Sequence, residues 1–237
     1  MLLVNGISKS FGGLEVVRDL SVEVAAGECL GIMGPNGAGK STFFDLVSGT
    51  VRASKGSVLV DGQDVTRLKA SARVRAGIVR AFQVPRPFAS LTVVEHLRLA
   101  KSASGRSSNP AFAVDVVLDL TGLSARRDML GGTLRLLDRK RLELAKAICV
   151  EPKVIMLDEV SGGLTEAEVE QMMLLISNLR SLGLAVLWVE HIAHALKEVC
   201  DRVMVMHMGA SIVTDKPEVV VKSPVVRKLY LGSALDA

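Results

Sequence analysis

Gly34-Pro35-Asn36-Gly37-Ala38-Gly39-Lys40-Ser41-Thr42 fits the pattern G-x-x-x-x-G-K-[ST]. Its flanks decide how it is read. Cys29-Leu30-Gly31-Ile32-Met33, just before it, is short and almost wholly apolar, as a strand covered on both faces is. An apolar helix is expected after it, from about Ser41 to Ser48. Glycines let backbone N–H groups curl around phosphate oxygens without side-chain clash. The helix turns its positive end toward the same phosphates. Lys40 supplies a point charge for the β- and γ-phosphates, and the Ser41 hydroxyl can ligate Mg²⁺. A plain glycine turn would need neither Lys40 nor Ser41. Gly34, Pro35, Asn36, Gly37, Ala38, Gly39, Lys40, Ser41 and Thr42 are therefore read as binding a nucleotide.

A second apolar run, Val154-Ile155-Met156-Leu157, ends in two adjacent carboxylates, Asp158 and Glu159. At the C-terminal edge of a buried parallel strand, ligands are expected. Side chains alternate along a strand, so the two acids point differently. Asp158 suits the Mg²⁺ shell, and Glu159 suits a water beside the γ-phosphate, as general base or orienter. Alone, the pair would read as a strand ending in solvated acids. Beside the glycine-rich loop it reads as chemistry.

Working outward, Leu184 to Val189 and Val203 to Met206 are further apolar runs beside helical patterns, which argues a parallel sheet of βα units. Leu2, Val4 and Ile7, then Leu20, Val22 and Val24, then Val58 to Val60 before Asp61-Gly62, predict a small antiparallel sheet. From Leu91 to about Val150 no good strand is visible, and Val93, Leu97, Val117, Leu118, Leu144 and Ile148 suit helices. Ser102 to Pro110 is small and polar and reads as a loop. This middle third is a helical insertion in an α/β domain.

The 237 residues suit one large domain, or one with a sub-domain. With 49% hydrophobic residues the chain is not disordered. With 3% aromatic residues it lacks stacking platforms for single-stranded nucleic acid. A net charge of +4 permits an anionic ligand but is no nucleic-acid footprint. Cys29, Cys149 and Cys200 form no CxxC, so a reducing compartment is the simplest reading. Met1 to Gly6 lacks the charged and apolar regions of a signal peptide, and no apolar stretch of about 18 residues could span a bilayer.

With these motifs in this order, the sequence resembles the ATP-binding subunit of an ABC transporter over almost its whole length. The resemblance implies a P-loop NTPase core with a parallel sheet, a small N-terminal antiparallel β sub-domain and an inserted α-helical sub-domain. It implies a single domain over 1–237, with 1–90 and 150–237 as the nucleotide-binding core and β sub-domain and 91–149 as the helical part. Ser8-Lys9-Ser10-Phe11-Gly12-Gly13 matches the loop whose aromatic residue stacks on adenine, here Phe11 where Tyr is commoner. Packing in the small sheet is the other reading of Phe11. Gln83, in Arg80-Ala81-Phe82-Gln83, matches the glutamine that senses Mg²⁺ and the attacking water and joins core to insertion. His191 matches the histidine that contacts the γ-phosphate. His194 lies three residues on and, with no further ligand nearby, reads as surface or packing rather than metal.

Lys40, Glu159 and His191 would then be catalytic, Phe11, the 34–42 loop and Gln83 would hold ATP, and Ser41, Gln83 and Asp158 would serve Mg²⁺. Phe82 to Phe88, Leu91-Thr92-Val93 and the ending Ser223-Pro224 to Gly232 look like the branched-chain amino-acid importer group. The resemblance implies a peripheral subunit at the cytoplasmic face of the membrane. Its partners would be permease subunits and a second ATP-binding subunit, as heterodimer or homodimer, with no nucleic acid and no direct solute contact. A non-hydrolysing or regulatory nucleotide-binding module, and a soluble ATPase of DNA repair or translation, are the rivals. One cassette and no sustained heptads speak against the latter.

Two places depart from the family. Where it has LSGGQ, this chain has Leu134-Arg135-Leu136-Leu137-Asp138, followed by the well-matched helix Arg141 to Ile148. Two leucines obstruct the close approach to phosphate that bare glycines permit, although Arg135 can still pair with it as a charge. In Ser161-Gly162-Gly163-Leu164-Thr165, Thr165 stands where the family has Asp.

Overall fold

The computed structural model describes residues 1–104 and 109–231. β1 (Leu2–Phe11) and β2 (Leu14–Val24) form an antiparallel hairpin in which Leu2 faces Val24 and Val4 faces Val22. β3 (Cys29–Met33) leads into α1 (Lys40–Ser48). β4 (Lys55–Val60) returns to the other edge of β1, and β5 (Gln63–Asp64) closes the small sheet in the order β2-β1-β4-β5.

After α2 (Ala70–Ala76) comes β6 (Ile78–Ala81), which pairs in parallel with β7 (Val154–Asp158). With β8 (Ala185–Val189), β9 (Arg202–His207) and β10 (Ala210–Asp215) the larger sheet has the order β10-β9-β3-β8-β7-β6. Only β10 runs antiparallel to its neighbour. The sequence reading did not place β6 or β10. β6 is four residues long with Arg80 inside it, and β10 is an edge strand whose side chains are mostly exposed. Neither shows the apolar run of a covered strand.

Strand alternation divides the core in two. Leu30, Ile32, Met156, Leu187 and Met204 point to one face and pack with Phe43, Phe44, Leu46 and Val47 of α1 and with Leu2, Val4 and Ile7 of the small sheet. Cys29, Ile155, Leu157, Trp188 and Val205 point to the other, among the helices. There α6 (Glu166–Ser181) contributes Met172 and Ile176, and α7 (Ala193–Val199) contributes Leu196 and Val199. The parallel strands are thus covered on both sides and their ends open onto the glycine-rich loop. Cys29 and Cys200 are free thiols whose Sγ atoms touch at 3.5 Å, and this contact, with burial, raises the Cys200 thiol pKa well above its ordinary value.

The insertion consists of α3 (Val93–Ser104), α4 (Val114–Leu120) and α5 (Leu136–Cys149), with short 3₁₀ turns between them. Ser102 to Ser104, expected in a loop, are the end of α3. Gly105 to Ser108 lie outside the described residues, and Asn109 caps the turn Pro110–Phe112 by accepting from the Ala111 N–H at 3.0 Å. α8 (Pro217–Lys222) and α9 (Pro224–Leu231) end the described chain, so Gly232 lies outside it. Among the described residues no helix is long and apolar enough to cross a membrane.

Candidate active site

The loop between β3 and α1 is built on glycines that no other residue can replace at two points. Gly34 has φ +157 and a Cβ there would stand 2.3 Å from the Met206 carbonyl oxygen. Gly39 has φ +100 and a Cβ there would stand 2.7 Å from the Val16 carbonyl oxygen. α1 begins at Lys40, one residue before the sequence estimate. The loop lines an open cleft of about 200 Å³ with Asn36 to Thr42, Val16 and Glu159 on its walls. Lys40 is buried, and its ammonium donates to the carbonyls of Gly34 at 2.6 Å and Pro35 at 3.1 Å. Burial pushes its pKa down, against the pull of Glu159 and Asp158.

The two acids diverge as alternation requires. Asp158 closes β7, and its Oδ2 accepts from Arg80 Nη2 at 2.5 Å. Arg80 Nη1 donates to Asp45 Oδ1 of α1 at 2.6 Å. Burial works against the Arg80 charge, yet the two carboxylates outweigh it and its pKa is raised. Glu159, just past the strand, adopts φ +46, a left-handed conformation that is uncommon for a side chain of this size. Its Oε2 accepts from Gln83 Nε2 at 2.6 Å and its Oε1 lies 2.8 Å from His191 Nε2. Because an ionised carboxylate only accepts, this contact is a hydrogen bond in the tautomer that carries the imidazole proton on Nε2.

Three residues read separately from the sequence, Gln83, Glu159 and His191, thus meet on one carboxylate. Phe11 is 50% exposed at the tip of the β1–β2 hairpin, paired with Leu14, with the Lys9 ammonium 4.9 Å from its ring centre. It is not part of the small sheet's core. His194 is exposed, 3.3 Å from Glu170 Oε1.

The 134–138 segment does not line the cleft. Leu134 is buried, Arg135 precedes α5 and is exposed, and Leu136 is 42% exposed. Asp138 is buried and ion-paired with Arg126 at 2.7 Å and Arg141 at 3.8 Å. Leu136 leans on the 161–165 turn, its Cδ2 3.3 Å from where a Cβ on Gly163 would stand. Thr165 caps α6 in a capping box, its N–H donating to Glu168 Oε2 at 2.9 Å. Threonine therefore keeps the helix start that Asp would also supply.

Sequence reasoning missed three charged residues here. Arg80 is one. Glu190 is buried and accepts from the His191 N–H at 2.9 Å and the Ser161 N–H at 3.4 Å. Lys140, on α5, is buried, donates to the Gln83 carbonyl at 3.3 Å and has its pKa lowered by burial. An arginine inside an otherwise apolar strand was the available signal for the first.

Comparison with known proteins settles the family. The model of the ABC transporter family matches residues 17–162, well over half the chain. The chain belongs to the ABC transporter family. This ABC subunit is 34% identical to the lipopolysaccharide export system ATP-binding protein LptB of Haemophilus influenzae, over 98% of this chain and 97% of the relative. It is 32% identical to the high-affinity branched-chain amino acid transport ATP-binding protein LivG of Escherichia coli K12, over 99% of this chain and 98% of the relative. Among solved structures it resembles the ADP conformation of an ATP-binding cassette of an ABC transporter, with a TM-score of 0.89 and 27% identity over 98% of both chains. The chain is an ATP-binding, ATP-hydrolysing subunit of a transporter. It also resembles cbiO1 of Clostridium perfringens, part of the ABC transporter complex cbiONQ, with a TM-score of 0.82 and 27% identity over 100% of this chain and 98% of that one.

Proposed function

We propose that this subunit powers import of a small solute, a branched-chain amino acid or related compound, from the cytoplasmic face of the membrane. The relatives include both importers and an exporter. The stretch Phe82 to Phe88 and the ending from Ser223 support the importer reading. We take 1–90 with 150–237 as the nucleotide-binding core and β sub-domain, and 91–149 as the helical part.

The observation that carries the catalytic reading is the Glu159 carboxylate, on the wall of the loop cleft and held by Gln83 and His191. In this reading the 34–42 amides and Lys40 hold the phosphates, and Phe11 stacks on the adenine. Glu159 orients the attacking water and accepts its proton, while His191 holds the γ-phosphate oxygens. Ser41 hydroxyl, Asp158 carboxylate and the Gln83 amide oxygen form an all-oxygen donor set, which suits Mg²⁺. When bound, Mg²⁺ neutralises charge on the β- and γ-phosphates.

The permease would dock in the groove of about 590 Å³ lined by Phe82, Gln83, Val84, Arg86, Glu143, Lys146 and Asp158. Phe82 and Val84 present exposed apolar surface there, 57% and 62% accessible, and Phe88, four residues beyond Val84, is 60% accessible. Arg86 is tied to α5, its N–H donating to Glu143 Oε1 at 3.0 Å. Cysteines introduced at Val84 or Ala89 should crosslink to a permease subunit in the assembled transporter. Failure of both to reach any membrane partner would remove the docking assignment.

In the family each ATP lies between the loop of one subunit and the signature of the other. Here the loop, Asp158, Glu159 and His191 are in place, whereas the signature segment offers Arg135 and two leucines and turns Asp138 inward. We therefore expect a heterodimer in which a partner with an intact signature completes the site on this chain's loop. The opposite site should be about 10²–10³ slower, the typical cost of losing one preorganised donor. Separate Glu-to-Gln changes in the two subunits of the assembled complex check this. Glu159→Gln should remove most ATPase activity, and the equivalent change in the partner little. The reverse pattern, or cooperative hydrolysis by this chain alone as a homodimer, would overturn it.

A further inference from the structure

Asp158 does not stand free at the end of its strand. Arg80 rises from β6, directly beside Met156 of β7, and its guanidinium forks between Asp158 and Asp45 at 2.5 and 2.6 Å. The side chain is only 11% exposed. Its guanidinium carbon lies 5.6 Å from the Phe44 ring centre and 5.2 Å from that of Phe82. The fork therefore joins the helix that follows the phosphate loop to the strand that carries the metal-facing acid. Rings near the guanidinium limit its access to water. An ion pair so shielded is screened far less than a surface pair.

We propose that Arg80 is a positioning residue for Asp158: it supplies the counter-charge of this carboxylate when no divalent ion is bound, and so sets how strongly nucleotide binding depends on Mg²⁺. This rests on assigning Asp158 to the metal. Glu159 and the buried cation Lys40 line the cleft, and the half-buried Arg80 sits between Asp45 of the helix that follows the loop and Asp158 beside Glu159. Without Arg80, Asp45 and Asp158 lose their shared partner, and a nucleotide arriving without metal meets a more negative site. Mg²⁺ brings two positive charges and restores the balance. Arg80 also fixes the carboxylate plane, because a fork bound to two acids on different elements cannot rotate freely.

The test is calorimetric titration of ADP into the full chain, once with excess EDTA and once with saturating Mg²⁺. Arg80→Gln should weaken ADP binding about tenfold or more in EDTA and only slightly in Mg²⁺, from the loss of one part-buried charge. Arg80→Lys should restore the EDTA affinity, since the charge returns, but not ATPase turnover in the assembled transporter, since an ammonium cannot span both acids. Asp45→Asn, at a side chain 31% exposed, should shift the Mg²⁺ enhancement the opposite way. Equal weakening in both buffers for Arg80→Gln, or the same direction of shift for Asp45→Asn, would overturn the proposal. Asp158→Asn is the control for the underlying assignment. If it leaves the Mg²⁺ enhancement intact, the metal role of Asp158 fails independently of Arg80.

Discussion

Replacing Lys40 with alanine should abolish tight ATP·Mg²⁺ binding. The ammonium is the buried cation of the loop, and it donates to the Gly34 and Pro35 carbonyls. Those bonds hold it on the wall of the cleft, where phosphate oxygens would replace the carbonyls. Hydrogen bonds to charged groups contribute about 1.5–3 kcal/mol each. Two such bonds to the β- and γ-phosphates amount to about 3–6 kcal/mol, a hundredfold or more in affinity. The same change strips the Gly34 carbonyl of its ammonium partner, while the Pro35 carbonyl keeps the Ala38 N–H at 3.1 Å, so the loop loses one internal tie as well as the charge. Calorimetry with ATP and Mg²⁺ checks it, and affinity unchanged from the parent chain would show that the nucleotide sits elsewhere.

Glu159→Gln should leave nucleotide binding near the parent value and reduce turnover about 10²–10⁴-fold, the usual contribution of a positioned general base. The amide is isosteric. Its oxygen can still accept from Gln83 and its nitrogen can face His191, provided the imidazole takes its proton on the other nitrogen. What it cannot do is accept a proton from water. The expected signature is tight ATP binding without phosphate release in the assembled transporter. Multiple turnover at the parent rate would show that Glu159 is not the base.

The parts of this fold that were legible in the sequence are those where one physical demand dominates. The covered strands β3, β7, β8 and β9 must be apolar on both faces, and the loop after β3 must be glycine where backbone approaches within 3 Å. β6 and β10 were not legible because each serves two demands. β6 carries Arg80 to reach Asp158, and β10 is an edge that faces solvent on most of its length. The serines at 102–104 suggested a loop, yet Ser102 satisfies its hydroxyl on the Leu99 carbonyl at 2.9 Å and the helix runs on. At the site, the motif residues could be placed one by one, but not their meeting on Glu159. Gln83 and Glu159 are 76 residues apart in sequence, and Glu159 and His191 are 32 apart. Glu190 and Lys140 carry no local pattern at all, since burial of a charge is visible only once the surrounding elements are assembled.

The clasp on Glu159 ties one carboxylate to two separate segments of the chain. Each carboxylate oxygen already has a donor within 2.8 Å, one from the segment that borders the groove and one from the segment after β8. Anything seated in the groove that draws Gln83 aside releases one oxygen, and anything that draws His191 to a phosphate releases the other. By thermodynamic reciprocity, the factor by which groove occupancy alters nucleotide affinity is the factor by which nucleotide alters affinity at the groove. Groove and nucleotide would then be coupled through one pair of hydrogen bonds, Gln83–Glu159 and Glu159–His191.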